Sequence, residues 1–218
     1  MGSEDLVCMV GNDETILWRG KPDKKCFVLE AIFNPMLIFA IIWGAIDFGI
    51  MGVSLFGANG GMPGSMALFI VVFMLIHLMP VWIYLGGVIF SVRRYKNTAY
   101  IVTDRGIYVS GGVFSYTYEM KPFAELSHIN LHRGIFDQML GVGDIVLSCH
   151  PSMTGARYTT NTGNTHTGGL KIVDITDYQR VFKLIKDLQT DIYADTMYPN
   201  DLRPETNHGY KTKYRGLE

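Results

Sequence analysis

The sequence predicts a membrane α-helical hairpin followed by a β-rich domain, a bent antiparallel sheet or barrel capped by a C-terminal α-helix. Three observations lead there. Residues 31–92 hold one acidic residue, Asp47, and no Lys or Arg, whereas 15 of the 19 Lys and Arg fall in residues 93–218. Two long apolar runs occupy the uncharged stretch. After Lys96 the pattern changes to short β-rich runs broken by turns, and then to one amphipathic segment.

The composition of the 218 residues agrees with this division. Charged residues make up 18%, below the roughly 25% of soluble chains. Apolar residues reach 48% and the mean hydropathy is +0.17. A uniform soluble globule is excluded, and so is a disordered chain, which needs low hydrophobicity and high net charge. The net charge of -1 gives no argument for a nucleic-acid partner. Cys8, Cys26 and Cys149 are odd in number and form no CxxC, which fits a reducing compartment. Cys149-His150, with His166 nearby, falls short of the four closely spaced ligands of a zinc site. A Cys beside a loop His is the favoured reading, and no metal is expected.

The chain divides into an N-terminal cytoplasmic segment (1–26), a first membrane helix (27–56), a short outer loop (57–65) and a second membrane helix (66–92). The apolar runs Ala31 to Phe56 and Met66 to Val92 each exceed the ~20 residues that cross a ~30 Å hydrocarbon core. Gly57 to Ser65 is rich in turn formers, so the helices form a tight antiparallel hairpin. The first 17 residues carry Glu4, Asp5, Asp13 and Glu14 without a basic region, unlike a signal peptide. Arg19, Lys21, Lys24 and Lys25 precede the first run, Arg93, Arg94 and Lys96 follow the second, and the loop has no Lys or Arg. The positive-inside rule then places both termini in the cytoplasm of a two-span, multi-pass cell-membrane protein. Trp18, Trp82 and Tyr84 read as interfacial anchors, whereas Trp43 lies deep. Pro35 and Pro80 are candidate kinks. Ala40-Gly44 and Ala45-Gly49 are small-xxx-small pairs, able to pack on the second span or on another copy of the chain.

Asp47 and His77 are the only ionisable groups well inside the runs, and such groups are functional candidates. Counted back from the loop, their levels differ by only ~3–8 Å, at 1.5 Å per residue. They form a polar pair if both face the seam. The alternative is that Asp47 reaches the outer interface and His77 stays neutral.

Residues 97–190 then read as a cytoplasmic β-rich domain. Strands are predicted at Ala99–Thr103, Ile107–Ser110, Phe114–Met120, Leu126–His132, Gly143–Ser148 and Gly169–Asp174, with a helical turn from Gly134 to Leu140. Thr176 with Gln179 forms a capping-box pattern, and Tyr178, Val181, Phe182, Ile185 and Leu188 recur at helical spacing. His128 and His132 share a face but lie ~13 Å apart along a strand, too far for one metal. The tail, 191–218, is polar, with Tyr193, Met197 and Tyr198 as candidate docking residues.

Asn97 to Val109 followed by Gly111-Gly112, Leu140-Gly141-Val142-Gly143-Asp144-Ile145, and Glu14 to Pro22 ahead of two membrane spans together resemble the membrane-anchored bacterial pleckstrin-homology (PH)-like family. The resemblance covers Asp13 to Gln189 and implies a PH-like domain acting as a non-enzymatic scaffold. The Thr/Gly/Asn-rich insertion Pro151 to Gly168 departs from the pattern and leaves one or two of seven strands unassigned. The first strand–loop–strand offers only Arg105, so strong inositol-phosphate binding is not expected. Arg93, Arg94 and Lys96 are candidate anionic-lipid contacts, worth about 1 kcal/mol each, as well as topology determinants.

No GxSxG, HExxH, P-loop or GxGxxG occurs. No catalytic residue and no cofactor are expected. The expected partners are the lipid bilayer and either another membrane protein or a second copy of the chain. The competing expectation is an accessory subunit of a membrane transport or enzyme complex, with Asp47 and His77 at a functional interface.

Overall fold

A computed structural model describes residues 2–56, 64–149 and 169–197. Residues 57–63 of the outer loop, the insertion 151–168 with His150 and His166, the tail beyond Met197, and the side chains of Cys149, Tyr193 and Met197 lie outside the described set. Two compact units are present. Residues 28–92 form one, and the flanking segments, through Phe27 and from Arg93 onward, form the other.

The flanking segments build a sheet unit. It opens with α1 (Gly2–Cys8) and β1 (Ile16–Gly20). α2 (Lys24–Ile32) then leads into the apolar helices. After them come β2 (Ala99–Thr103), β3 (Gly106–Gly111) and β4 (Thr117–Pro122), and a 3-10 turn, Phe123–Glu125, leads to β5 (Leu126–His132). α6 (Ile135–Leu140), β6 (Gly143–Cys149), β7 (Leu170–Ile175) and α7 (Tyr178–Met197) complete it. The strands form two antiparallel sheets, in the orders β1-β2-β3-β4 and β5-β6-β7. A C-terminal helix on β-rich sheets is the architecture the sequence predicts for this domain.

One core joins both sheets to α7. Tyr100, Val102, Ile107 and Phe123 meet Ile145, Leu147, Leu170 and Ile172, and Val181, Ile185 and Leu188 cover them. Of the predicted helical stripe, Phe182 only flanks the core, while Leu184 enters it. The helix runs 20 residues rather than about 14. It starts at Tyr178, one residue past Asp177, whose carbonyl accepts from the amides of Arg180 and Val181. Asp177 thus takes the start position that the Thr176–Gln179 pattern assigned elsewhere.

The domain boundary at residue 97 needs correction. β1 pairs with β2 through Gly20↔Tyr100 and Ile16↔Thr103, and Leu17 and Trp18 are buried in the main core. Leu6 of α1 is fully buried in a second cluster with Ala99, Ile101 and Tyr108. The segment before the apolar runs is therefore part of the domain. The strand expected from Phe114 begins at Thr117 instead, because Gly112 takes φ 128 and residues 112–116 form the β3–β4 connection.

The helical unit is more broken than two continuous spans. The expected helix 27–56 is interrupted at Phe33-Asn34, so α3 (Pro35–Phe56) starts with Pro35 as its first residue, where a missing N–H costs nothing. Asn34 Nδ2 donates to the Ala31 carbonyl at 2.8 Å. The second run divides into α4 (Gly64–His77) and α5 (Met79–Asn97), bent by 49° at Leu78. Pro80 follows the break, where its ring and absent N–H disrupt the i→i−4 ladder. By length and composition α3 is one helix able to cross a membrane, and the bent α4–α5 pair passes only when taken together.

Candidate functional site

Asp47 and His77 meet inside the helical unit. His77 Nδ1 lies 3.0 and 3.1 Å from the two carboxylate oxygens of Asp47. The two side chains are thus hydrogen-bonded through Nδ1. Asp47 is 2% exposed although its helix is apolar throughout. Ala40, Gly44 and Asp47 form the buried stripe of α3, one residue per turn. A Cβ on Gly44 would stand 3.6 Å from Val81, so the Ala40-Gly44 pair is used within the chain. Ala45 and Gly49 lie on the exposed side.

An aromatic ladder surrounds the pair. Phe39 stacks on Trp43, Trp43 on His77, and His77 on Phe73, with ring centroids 5.1–5.6 Å apart. The indoles also serve the break at Leu78. Trp43 Nε1 donates to the His77 carbonyl at 3.0 Å and Trp82 Nε1 to the Leu75 carbonyl at 3.1 Å. Both acceptors sit where the helix ladder is interrupted. In an apolar medium such freed groups need partners, which is the use the structure makes of these tryptophans. Tyr84 likewise donates to the Ile32 carbonyl at 3.0 Å. Trp18, expected as an interfacial anchor, is instead a core residue of the sheet unit.

The surface of the helical unit is apolar on nearly every side. Ile38, Phe39, Ile41, Ile42, Ile46 and Phe48 of α3 are 45–65% exposed. Contiguous exposed apolar area of this extent marks a surface that meets something other than water.

In the sheet unit, the three candidate lipid contacts divide. Arg93 and Lys96 are exposed. Arg94 is half-buried with its guanidinium 4.9 Å over the Phe27 ring. Burial pulls its pKa down, and nearby Tyr100 and Asp174 partly offset this. It braces Phe27, which itself meets Tyr95 at 6.1 Å. His128 and His132 are both exposed on β5.

A buried polar network, which the sequence reading missed, organises the same unit. The Cys26 thiol donates to Asp137 Oδ1 at 3.2 Å, and the Gly134 amide to Asp137 Oδ2 at 2.7 Å. Asp144 accepts from the Asp174 amide and from Lys171, both at 2.8 Å. Asp174 holds a left-handed φ of 56°, and its carbonyl accepts from the Asp23 amide at 2.7 Å. Burial, then the Asp137 hydrogen bond, pushes the Cys26 thiol well above its ordinary pKa. It serves there as a protonated donor to Asp137. The only legible signal was Leu140-Gly141-Val142-Gly143. Gly141 closes α6 at φ 72, Val142 is fully buried, and a Cβ on Gly143 would press on the Tyr178 ring at 3.0 Å.

A groove of about 580 Å³ opens between α1 and the β1–β2 pair, a size common for small-ligand sites. Val7, Tyr100 and Ile101 contribute its apolar lining, with Glu4, Arg19 and Lys21 also bordering it.

Compared with known proteins, the chain matches the family model of the bacterial PH domain over residues 31–189. The match takes in both the apolar helices and the domain through Gln189, but begins after β1. No curated protein and no solved structure matches the chain.

Proposed function

The chain belongs to the bacterial PH domain family, and from that premise we propose that it is a non-enzymatic integral membrane protein. It presents the PH domain at the cytoplasmic membrane face for interaction with protein, a second copy of itself included, or with lipid. The observation that carries this reading is the pairing of β1 with β2 in one sheet. Both strands lie on one side of any membrane, so the chain between them crosses an even number of times. With α3 as one crossing, the bent α4–α5 pair supplies the other. The exposed apolar surface of α3 and the seven Lys and Arg flanking the apolar runs favour the same arrangement.

A second reading, an accessory subunit of a transport or enzyme complex, is favoured by the Asp47–His77 hydrogen bond alone. The two are separated by substituting Asp47→Leu with His77→Phe. Retained assembly and phenotype support the scaffold.

The topology is tested with an impermeant thiol reagent on intact cells, in a background lacking Cys8 and Cys149. Gly60→Cys is labelled and Thr165→Cys is not. Labelling at residue 165 overturns the arrangement. Affinity purification in mild detergent followed by mass spectrometry then identifies what the domain engages.

A further inference from the structure

Antiparallel pairing alternates the ends at which the strand connections fall. In the first sheet the β1–β2 and β3–β4 connections share one end, and the β2–β3 connection and the end of β4 share the other. The β1–β2 connection is the apolar helices. α6 is the β5–β6 connection, and two bonds fix it and its sheet beside the departing chain: Cys26 to Asp137 of α6, and Asp23 to Asp174 of β7. The β3–β4 connection is fixed beside the returning chain, where buried Asn97 donates to the Gly112 carbonyl at 3.0 Å.

Both neighbouring connections turn large apolar side chains outward. On α6, Ile135 and Met139 stand four residues apart on one face and are 77% and 74% exposed. Asp137, two residues from each, lies on the opposite, buried face. On the β3–β4 connection, Phe114 is 77% and Tyr116 51% exposed. α6 is short but braced. Arg133 donates to the Val142 carbonyl at 2.9 Å and covers the Tyr178 ring, and the Val142 amide returns to the Asp137 carbonyl. Exposed Lys24, Lys25, Arg93 and Lys96 flank the points where the chain leaves and rejoins this end. From Cys26 the chain reaches Ala31, where the apolar run begins, within ~18 Å even if fully extended.

We propose that α6, through Ile135 and Met139, and the β3–β4 connection, through Phe114 and Tyr116, seat in the interfacial layer of the bilayer as a second, non-covalent membrane contact. This rests on the membrane reading above. The occupant is lipid rather than a protein groove because the apolar residues share their end with the two chain crossings and with cationic side chains that suit anionic headgroups. Amphipathic aromatic and aliphatic groups are at home in that layer.

The test uses the full chain reconstituted in vesicles of phosphatidylethanolamine and phosphatidylglycerol, with Cys8→Ser and Cys149→Ser and an environment-sensitive fluorophore on one added cysteine. Positions are Ile42 of α3, Met139, Ile135 and Phe114, with Ala124 at the opposite end as reference. A nitroxide-bearing lipid is the quencher. Probes at 42, 139, 135 and 114 are expected to be blue-shifted and quenched, and the probe at 124 unaffected. Quenching at 42 with 139, 135 and 114 behaving like 124 overturns this inference and leaves the membrane reading standing. No quenching at 42 overturns both. Shielding of 139 and 135 only in a detergent-extracted complex, and not in vesicles, overturns it in favour of a protein partner.

Discussion

The indole of Trp18 donates to Asp177 Oδ2 at 2.6 Å, joining residues 159 positions apart. One lies on β1, before the apolar helices, and the other immediately precedes α7. The bond closes the sheet unit at the start of its C-terminal helix, and it makes the first strand and the last helix depend on each other.

A fragment spanning residues 97–189 should therefore fail to fold cooperatively. It lacks Leu17 and Trp18, each worth about 1.5–3 kcal/mol when fully buried, against a typical domain stability of about 5–15 kcal/mol. A chain in which a flexible linker replaces residues 28–92 should fold. Calorimetry of the two, with one cooperative transition expected only for the second, checks this.

Trp18→Ala should destabilise the sheet unit by about 3–5 kcal/mol. Trp18→Phe keeps much of the apolar contact but strips the Asp177 carboxylate of its donor, for a loss of about 1–3 kcal/mol. The midpoint of chaotrope unfolding reads the order: native, then Phe, then Ala.

Alkaline pH should weaken the sheet unit. Burial, then the bond to Glu14 at 3.0 Å, pushes the Tyr108 hydroxyl up to about 12, and Cys26 is raised as well. Unfolded, these groups lose protons near their ordinary values of 10.0 and 9.0. The folded chain holds its protons longer, so their contribution is complete below about pH 9 and declines as pH rises toward 12 and beyond. Unfolding midpoints from pH 8 to 12 should fall less steeply in a Tyr108→Phe, Cys26→Ala variant.

Breaking the Asp47–His77 pair from one side should cost more than removing both groups. Loss of one partner from a buried pair typically costs about 3–5 kcal/mol. Asp47→Leu with His77→Phe should unfold later in detergent than either single variant, as followed by thermal aggregation.

Gly112→Ala should displace the β3–β4 connection. At φ 128 a Cβ is strained and would collide with the Ser115 carbonyl, and the buried Asn97 bond to this residue would stretch. A destabilisation above about 1 kcal/mol is expected, with proteolysis within residues 111–117 as the readout.

Much of the sheet unit is written locally. β2 and β5 match their predicted runs, β7 lies within one residue of its own, and α7 announces itself by its stripe. β1 does not, because Ile16–Gly20 is a pentapeptide carrying an exposed Arg19, and its partner strand lies beyond the apolar helices. Non-local pairing of that kind leaves no trace in a short window. The breaks at Asn34 and Leu78 were obscured for a related reason: hydropathy continues across them although the hydrogen-bond ladder does not. The depth count brought Asp47 and His77 to similar levels, but the indole donors to the broken helix emerge only from coordinates. Cys26 and Asp137 are 111 residues apart, with nothing in either neighbourhood to link them.

Gly20 meets Tyr100 across about 80 residues of intervening chain. At 5–20 residues per second, synthesis of that stretch takes roughly 4–16 s. Throughout, the opening strand must wait as an unpaired edge, its tryptophan still lacking Asp177. Folding of this protein is therefore gated: the sheet unit cannot close before the apolar helices have been synthesised, and a chain released between the two carries a strand with nothing to join.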